Sequence, residues 1–84
     1  MRSLYTAIIH LREPPFPGAG ALIEPMLRVI RGIDEVNFEP AESLITLRFD
    51  RDQMGLAEIV RMIEDCGPTV SGVAQRRIGM RQAG

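Results

Sequence analysis

The sequence contains no lysine and no tryptophan, and it holds a single histidine and a single cysteine. A lone thiol, Cys66, can neither close an internal disulfide nor furnish a multi-cysteine zinc site, and nothing else points to an oxidising compartment. No apolar run approaches the ~20 residues that a membrane-spanning helix needs. The stretch Met1 to His10 has neither the long apolar segment nor the small-residue cleavage site of a secretory leader. The expectation is a cytoplasmic protein that is not embedded in a membrane. A surplus of either charge is also missing: ten basic residues, all arginine, stand against eleven acidic ones for a formal net charge of −1. Nucleic-acid binders usually carry a clear positive excess or a basic face, so no nucleic-acid partner is expected. One histidine and one cysteine far apart in the chain, with no nucleophile elbow and no paired carboxylates, leave no catalytic constellation. An enzyme is not expected.

The 84 residues amount to one domain with a modest core. Residues 5–11 alternate as a strand, with Tyr5, Ala7, Ile9 and Leu11 on the expected core face and Thr6, Ile8 and His10 opposite. Pro14, Pro15 and Pro17 then end any sheet ladder. From about Ala21 to Arg31 the apolar positions Ile23, Met26, Leu27 and Ile30 fall at helical spacing. Pro25 belongs in the first turn of such a helix, and Gly32 belongs at its left-handed end. Val36–Phe38 and Leu44–Phe49 read as a hairpin, and in the second run Ile45, Leu47 and Phe49 form one apolar face. Asp50 or Asp52 is available to cap a second helix marked by Leu56, Ile59, Val60 and Ile63, which runs to about Asp65 and stops at Cys66-Gly67-Pro68. Residues 69–74 form a last strand, which Gly72 places at an edge or near a bulge. The domain is expected over residues 1–75, with 76–84 as a flexible basic tail. The order strand, helix, strand, strand, helix, strand predicts an α+β, ferredoxin-like βαββαβ sandwich, with two helices on one face of a four-stranded antiparallel sheet.

Specific residues narrow this further. Ile23-Glu24 followed by Met26-Leu27, Gly32-Ile33-Asp34-Glu35-Val36, Leu47-Arg48-Phe49-Asp50, and Ala57 to Val60 followed by Ile63 to Gly67 occur in one ungapped register from Leu11 to Val70. Together they resemble the heavy-metal-associated domains of copper chaperones and P-type metal ATPases. In that family the first loop reads Gly-Met-x-Cys-x-x-Cys and holds a soft ion through two thiolates. Counting back from Ile23-Glu24, Phe16 and Ala19 fall at the two cysteine places, and Glu13 and Pro14 at those of Gly and Met. Neither Phe16 nor Ala19 has a ligand atom, so the resemblance does not carry the metal site with it.

The segment at the family's metal site is therefore Phe16, Pro17, Gly18, Ala19 and Gly20, a docking loop or a locally packed turn. The residues able to ligate a metal by other means are His10, Glu13 and Cys66, to be weighed against a solvated histidine and a small apolar cysteine at a helix end. The resemblance implies a module for interaction or regulation in metal transport, with a metal transporter among its partners and no tight hold on Cu(I). The alternative is a metal-ion binding or delivery protein with a non-thiolate site. A third reading is a small-ligand sensor that uses the open sheet face between two subunits, which would make the chain a homodimer.

Overall fold

Four strands and two helices follow one another in the expected order in the computed structural model, which describes residues 3–12 and 18–78, the Ala19 side chain excepted. They are β1 (Leu4–Leu11), α1 (Ala19–Arg28), β2 (Ile33–Glu39), β3 (Leu44–Asp50), α2 (Leu56–Asp65) and β4 (Val70–Arg77), with one 3-10 turn over Pro40–Glu42. The strands lie side by side as β2-β3-β1-β4, each neighbouring pair antiparallel, which is the ferredoxin-like sheet. Alternation sorts β1 as expected: Ala7, Ile9 and Leu11 are buried, while Ile8 and His10 face outward. Pairing carries the apolar face across the sheet, Ala7 opposite Leu47 and Ile9 opposite Ile45, then Leu47 opposite Val36.

Both helices cover that face. Ile23 and Leu27 of α1 and Ile59 and Ile63 of α2 are fully buried, in one cluster with Ile9, Ile45, Leu47 and Phe49. Met26 packs against the same cluster from its margin. The helix α1 contacts β2 and α2 contacts β4. At Gly20 the approach is so close that a Cβ would lie 2.7 Å from Cδ2 of Phe38. The missing side chain is what lets the first turn of α1 settle on β2.

Several boundaries differ from the sequence reading, each for a local reason. The helix α1 starts at Ala19 and ends at Arg28, which leaves Pro25 in its interior rather than its first turn. The exposed proline costs the helix the hydrogen bond that an N–H at this position would give the Ala21 carbonyl, and its ring crowds that carbonyl as well. Gly32 does have φ +102°, but it serves the turn into β2 rather than the helix end. That strand begins at Ile33, which pairs with Phe49 across a shift in register before Glu35 meets Arg48. Neither Asp50 nor Asp52 caps α2. Its N-cap is Gly55, whose N–H donates to Oε1 of Glu58 at 3.2 Å. The strand β4 is an edge strand with a shift in register beside Gly72, as expected, but it continues through Arg77, into the segment expected as a tail. Arg77 and Arg76 pair with Tyr5 and Thr6, and the N–H of Ile78 donates to the Leu4 carbonyl at 2.9 Å. Backbone pairing with β1 needs no apolar side chain, so composition gave no sign of it. Residues 79–84 of the expected tail lie outside the described residues.

Asp50, 3% exposed, is the buried charged residue of the described chain. Its Oδ1 accepts the backbone N–H of Ser3 at 3.2 Å and of Asp52 at 3.1 Å, and its Oδ2 accepts Nε2 of Gln53 at 3.2 Å. One carboxylate thus ties the start of β1 to the turn after β3. Asp50→Ala removes the acceptor from backbone donors near the core edge and is expected to lower stability by about 1–3 kcal/mol, with Asp50→Asn losing less. Urea denaturation of the two variants checks this ordering.

Candidate functional site

The β1–α1 connection is held at both of its ends. At the end of β1 the N–H of Leu11 donates to the Ser43 carbonyl at 2.9 Å, and that of Arg12 donates to the Thr69 carbonyl at 2.7 Å. The strand end is thus gripped between the β2–β3 turn and the α2–β4 loop. On the other side Gly18, with φ +85°, opens α1 without a side-chain cap, and its carbonyl accepts the Leu22 N–H at 3.2 Å. Glu13, Phe16 and Pro17, and Pro14 with them, lie outside the described residues. Ala19 and Gly20 are the first two residues of α1.

Cys66 closes the same end of the molecule from the helix side. It is the C-cap of α2, donates its N–H to the Ile63 carbonyl at 3.0 Å, and is partly buried against the core. His10 stands on the other face of the sheet, exposed, paired with Leu44 on one side and Gly72 on the other, while its carbonyl accepts Oγ of Ser71 at 3.2 Å. The sheet itself lies between His10 and Cys66, so the structure does not bring these two together. No three His, Cys, Asp or Glu side chains gather to hold a metal ion among the described residues. A soft ion is held through thiolates, and this end of the chain offers one partly buried thiol. The residues present do not fit a two-thiolate site.

The open face carries a polar groove of about 320 Å³, lined by Thr6, Asn37, Thr46 and Arg48. Arg48 bridges Asp34 at 3.6 Å and Glu35 at 3.2 Å across the sheet surface, exposed pairs worth at most ~1 kcal/mol. Sequence reasoning missed Ser43 and Thr69, whose carbonyls fix the end of β1. Ser43 has φ +52°, a left-handed conformation without a sequence signature in a serine. Thr69 acts only through its backbone.

No protein-family model matches the chain, and no curated protein matches it. Solved structures do. A Bacillus anthracis protein assigned as copper-ion-binding superposes with TM-score 0.76 at 21% identity, over 84% of this chain and 100% of its own. The yeast copper transporter domain Ccc2a, solved in apo and Cu(I)-loaded states, superposes with TM-score 0.69 at 18% identity over 83% of this chain and 92% of its own. A chain from the Atx1–Cu(I)–Ccc2a complex superposes with TM-score 0.66 at 16% identity, over 94% of this chain and 99% of its own. At these identities the likeness is one of fold.

Proposed function

We propose that this chain is a heavy-metal-associated-like domain without the dithiol metal site, serving as an interaction or regulatory module in metal transport. One observation carries the reading: a frame similar to that of Cu(I)-binding domains surrounds a β1–α1 connection whose sequence contains no thiol. A metal transporter, or a soluble domain of one, is the partner class. The occurrence of a structural neighbour in the Atx1–Cu(I)–Ccc2a complex, of which Ccc2a is a copper transporter domain, supports it.

Cu(I) competition against a colorimetric chelator tests the metal half of this reading. The parent protein is expected to retain no stoichiometric copper, because Cys66 alone cannot replace a chelating pair. Phe16→Cys combined with Ala19→Cys is expected to create a site that neither single change creates. Two cysteines separated by two residues are a chelating pair for this soft ion, and the second is the first residue of α1, whose partial positive charge favours a thiolate. Copper held by the parent would overturn the reading. The non-thiolate alternative rests on His10 and Glu13, and a titration of the same protein with Zn(II) or Ni(II) reads it directly. For the interaction half, amide shifts are followed while the soluble domain of a P-type metal ATPase is added without metal. Changes at Leu11, Arg12, Gly18 and Thr69 are expected, and an unchanged spectrum would sink the module.

A further inference from the structure

The two edges of the sheet are finished differently. The β2 edge carries Asp34, Glu35 and Glu39, is broken by the shift in register after Ile33, and has its Val36 carbonyl engaged by Nη2 of Arg28 at 3.4 Å. Charges, irregular pairing and covering side chains are the devices that keep an edge from pairing with another chain. The β4 edge has no acid and no proline along Val70–Arg77. The bond from Ile78 N–H to the Leu4 carbonyl fixes its phase: Ala74 and Arg76 turn their N–H and C=O groups toward β1, and Val73, Gln75 and Arg77 turn theirs outward. Directly beside this edge, between β4 and α2, runs a largely apolar groove of about 460 Å³, lined by Leu56, Ala57, Val60, Val70 and Val73, and by Glu64, whose Oε2 accepts the Val70 N–H at 3.1 Å. Val73 is 45% exposed on the helix side of the sheet, because α2 does not reach over it.

We propose that β4 is a strand-addition site for an extended, acidic-then-apolar peptide segment of a partner protein, its backbone pairing with the outward groups of Val73, Gln75 and Arg77 and its alternate side chains filling the α2–β4 groove. Strand addition draws affinity from main-chain hydrogen bonds and specificity from pockets that take every second side chain, and this edge offers both. Charge sets the direction. An antiparallel strand places its amino-terminal end against Arg76 and Arg77, which register with β1 puts on opposite faces of the same edge. Acidic residues at that end of the peptide meet two guanidiniums, and the apolar residues that follow reach the groove. The acids of the β2 edge leave no such match there. The site goes beyond the metal-transport reading, since no residue of the β1–α1 connection takes part in it.

The probe is a displayed library of random octapeptides selected on the whole chain, with the enriched sequences synthesised and titrated against labelled protein. Enriched peptides are expected to carry acids ahead of alternating apolar residues, and to shift the amides of Val70–Arg77 and Leu56–Val60. Gln75→Pro removes an outward N–H that has no role in pairing with β1, so the fold survives by circular dichroism while binding is lost. Arg76→Glu with Arg77→Glu, on exposed side chains, is expected to weaken the same peptides by about tenfold or more. Selected peptides with no acidic or alternating pattern, or shifts confined to the open face or the β2 edge, overturn the proposal. So does a dimer in sedimentation that Gln75→Pro abolishes, because the edge would then belong to a second copy of this chain.

Discussion

Leu27→Ala is expected to lower the stability of the domain by about 2–5 kcal/mol, enough to bring a protein of this size close to unfolding. Leu27 has no exposed surface and lies where α1 meets the sheet, in one cluster with Leu47, Ile45 and Ile63. Truncation removes buried methyl groups and leaves a cavity that two regular elements cannot collapse to fill. Val29, two residues on and 82% exposed, supplies the control: Val29→Ala should change stability by no more than about 0.5 kcal/mol. Urea titration of both variants reads the contrast, and a loss below about 1 kcal/mol for Leu27→Ala would mean that the wrong face of α1 has been assigned to the core.

Gly32→Ala is expected to be comparably severe for a different reason. Its φ of +102° is a conformation that L side chains rarely adopt, and a Cβ there would stand 3.0 Å from Cβ of Gln53 and 3.3 Å from Cβ of Met54. Those atoms are fixed to backbone, and the Gly32 carbonyl meanwhile accepts the Asp50 N–H at 2.7 Å, so the turn cannot retreat. Backbone strain of about 1–3 kcal/mol and overpacking of about 1–3 kcal/mol both apply. Gly18→Ala separates the two, since Gly18 has φ +85° and a Cβ added there would meet nothing within 4 Å among the described residues. Thermal denaturation should show the larger loss at position 32. Equal losses would mean that the contact with Gln53 and Met54 relaxes freely.

Some elements declared themselves in the sequence and others could not. The helix α2 was placed, and its end at Asp65 found, because Leu56, Ile59 and Ile63 repeat at one face and Gly67-Pro68 stop it, while its start was set too early by the two aspartates. Strands β1 and β3 were legible because each has one wet and one dry side, and period-two alternation leaves no second choice of face. The start of α1 was hidden by Gly18-Ala19-Gly20, which reads as loop until Phe38 is seen to occupy the space that a Cβ at Gly20 would fill. The last residues of β4 were hidden because an edge strand exposed on both faces has no hydrophobic pattern to read. At the candidate site the missing thiol pair was evident from residue identities alone. The carbonyls of Ser43 and Thr69 were not, since a backbone acceptor leaves no trace in side-chain chemistry.

Gly32 and Asp50 sit where β1 begins, and the β1–α1 connection sits where it ends. Eight residues of extended chain, roughly 25 Å, lie between them. Substitutions separated by that distance add to within a few tenths of a kcal/mol, roughly 0.3–0.5. Phe16→Cys with Ala19→Cys is therefore expected to leave the cost of Gly32→Ala and of Asp50→Ala unchanged in the metal-free protein, as urea titration of the combined variants would read.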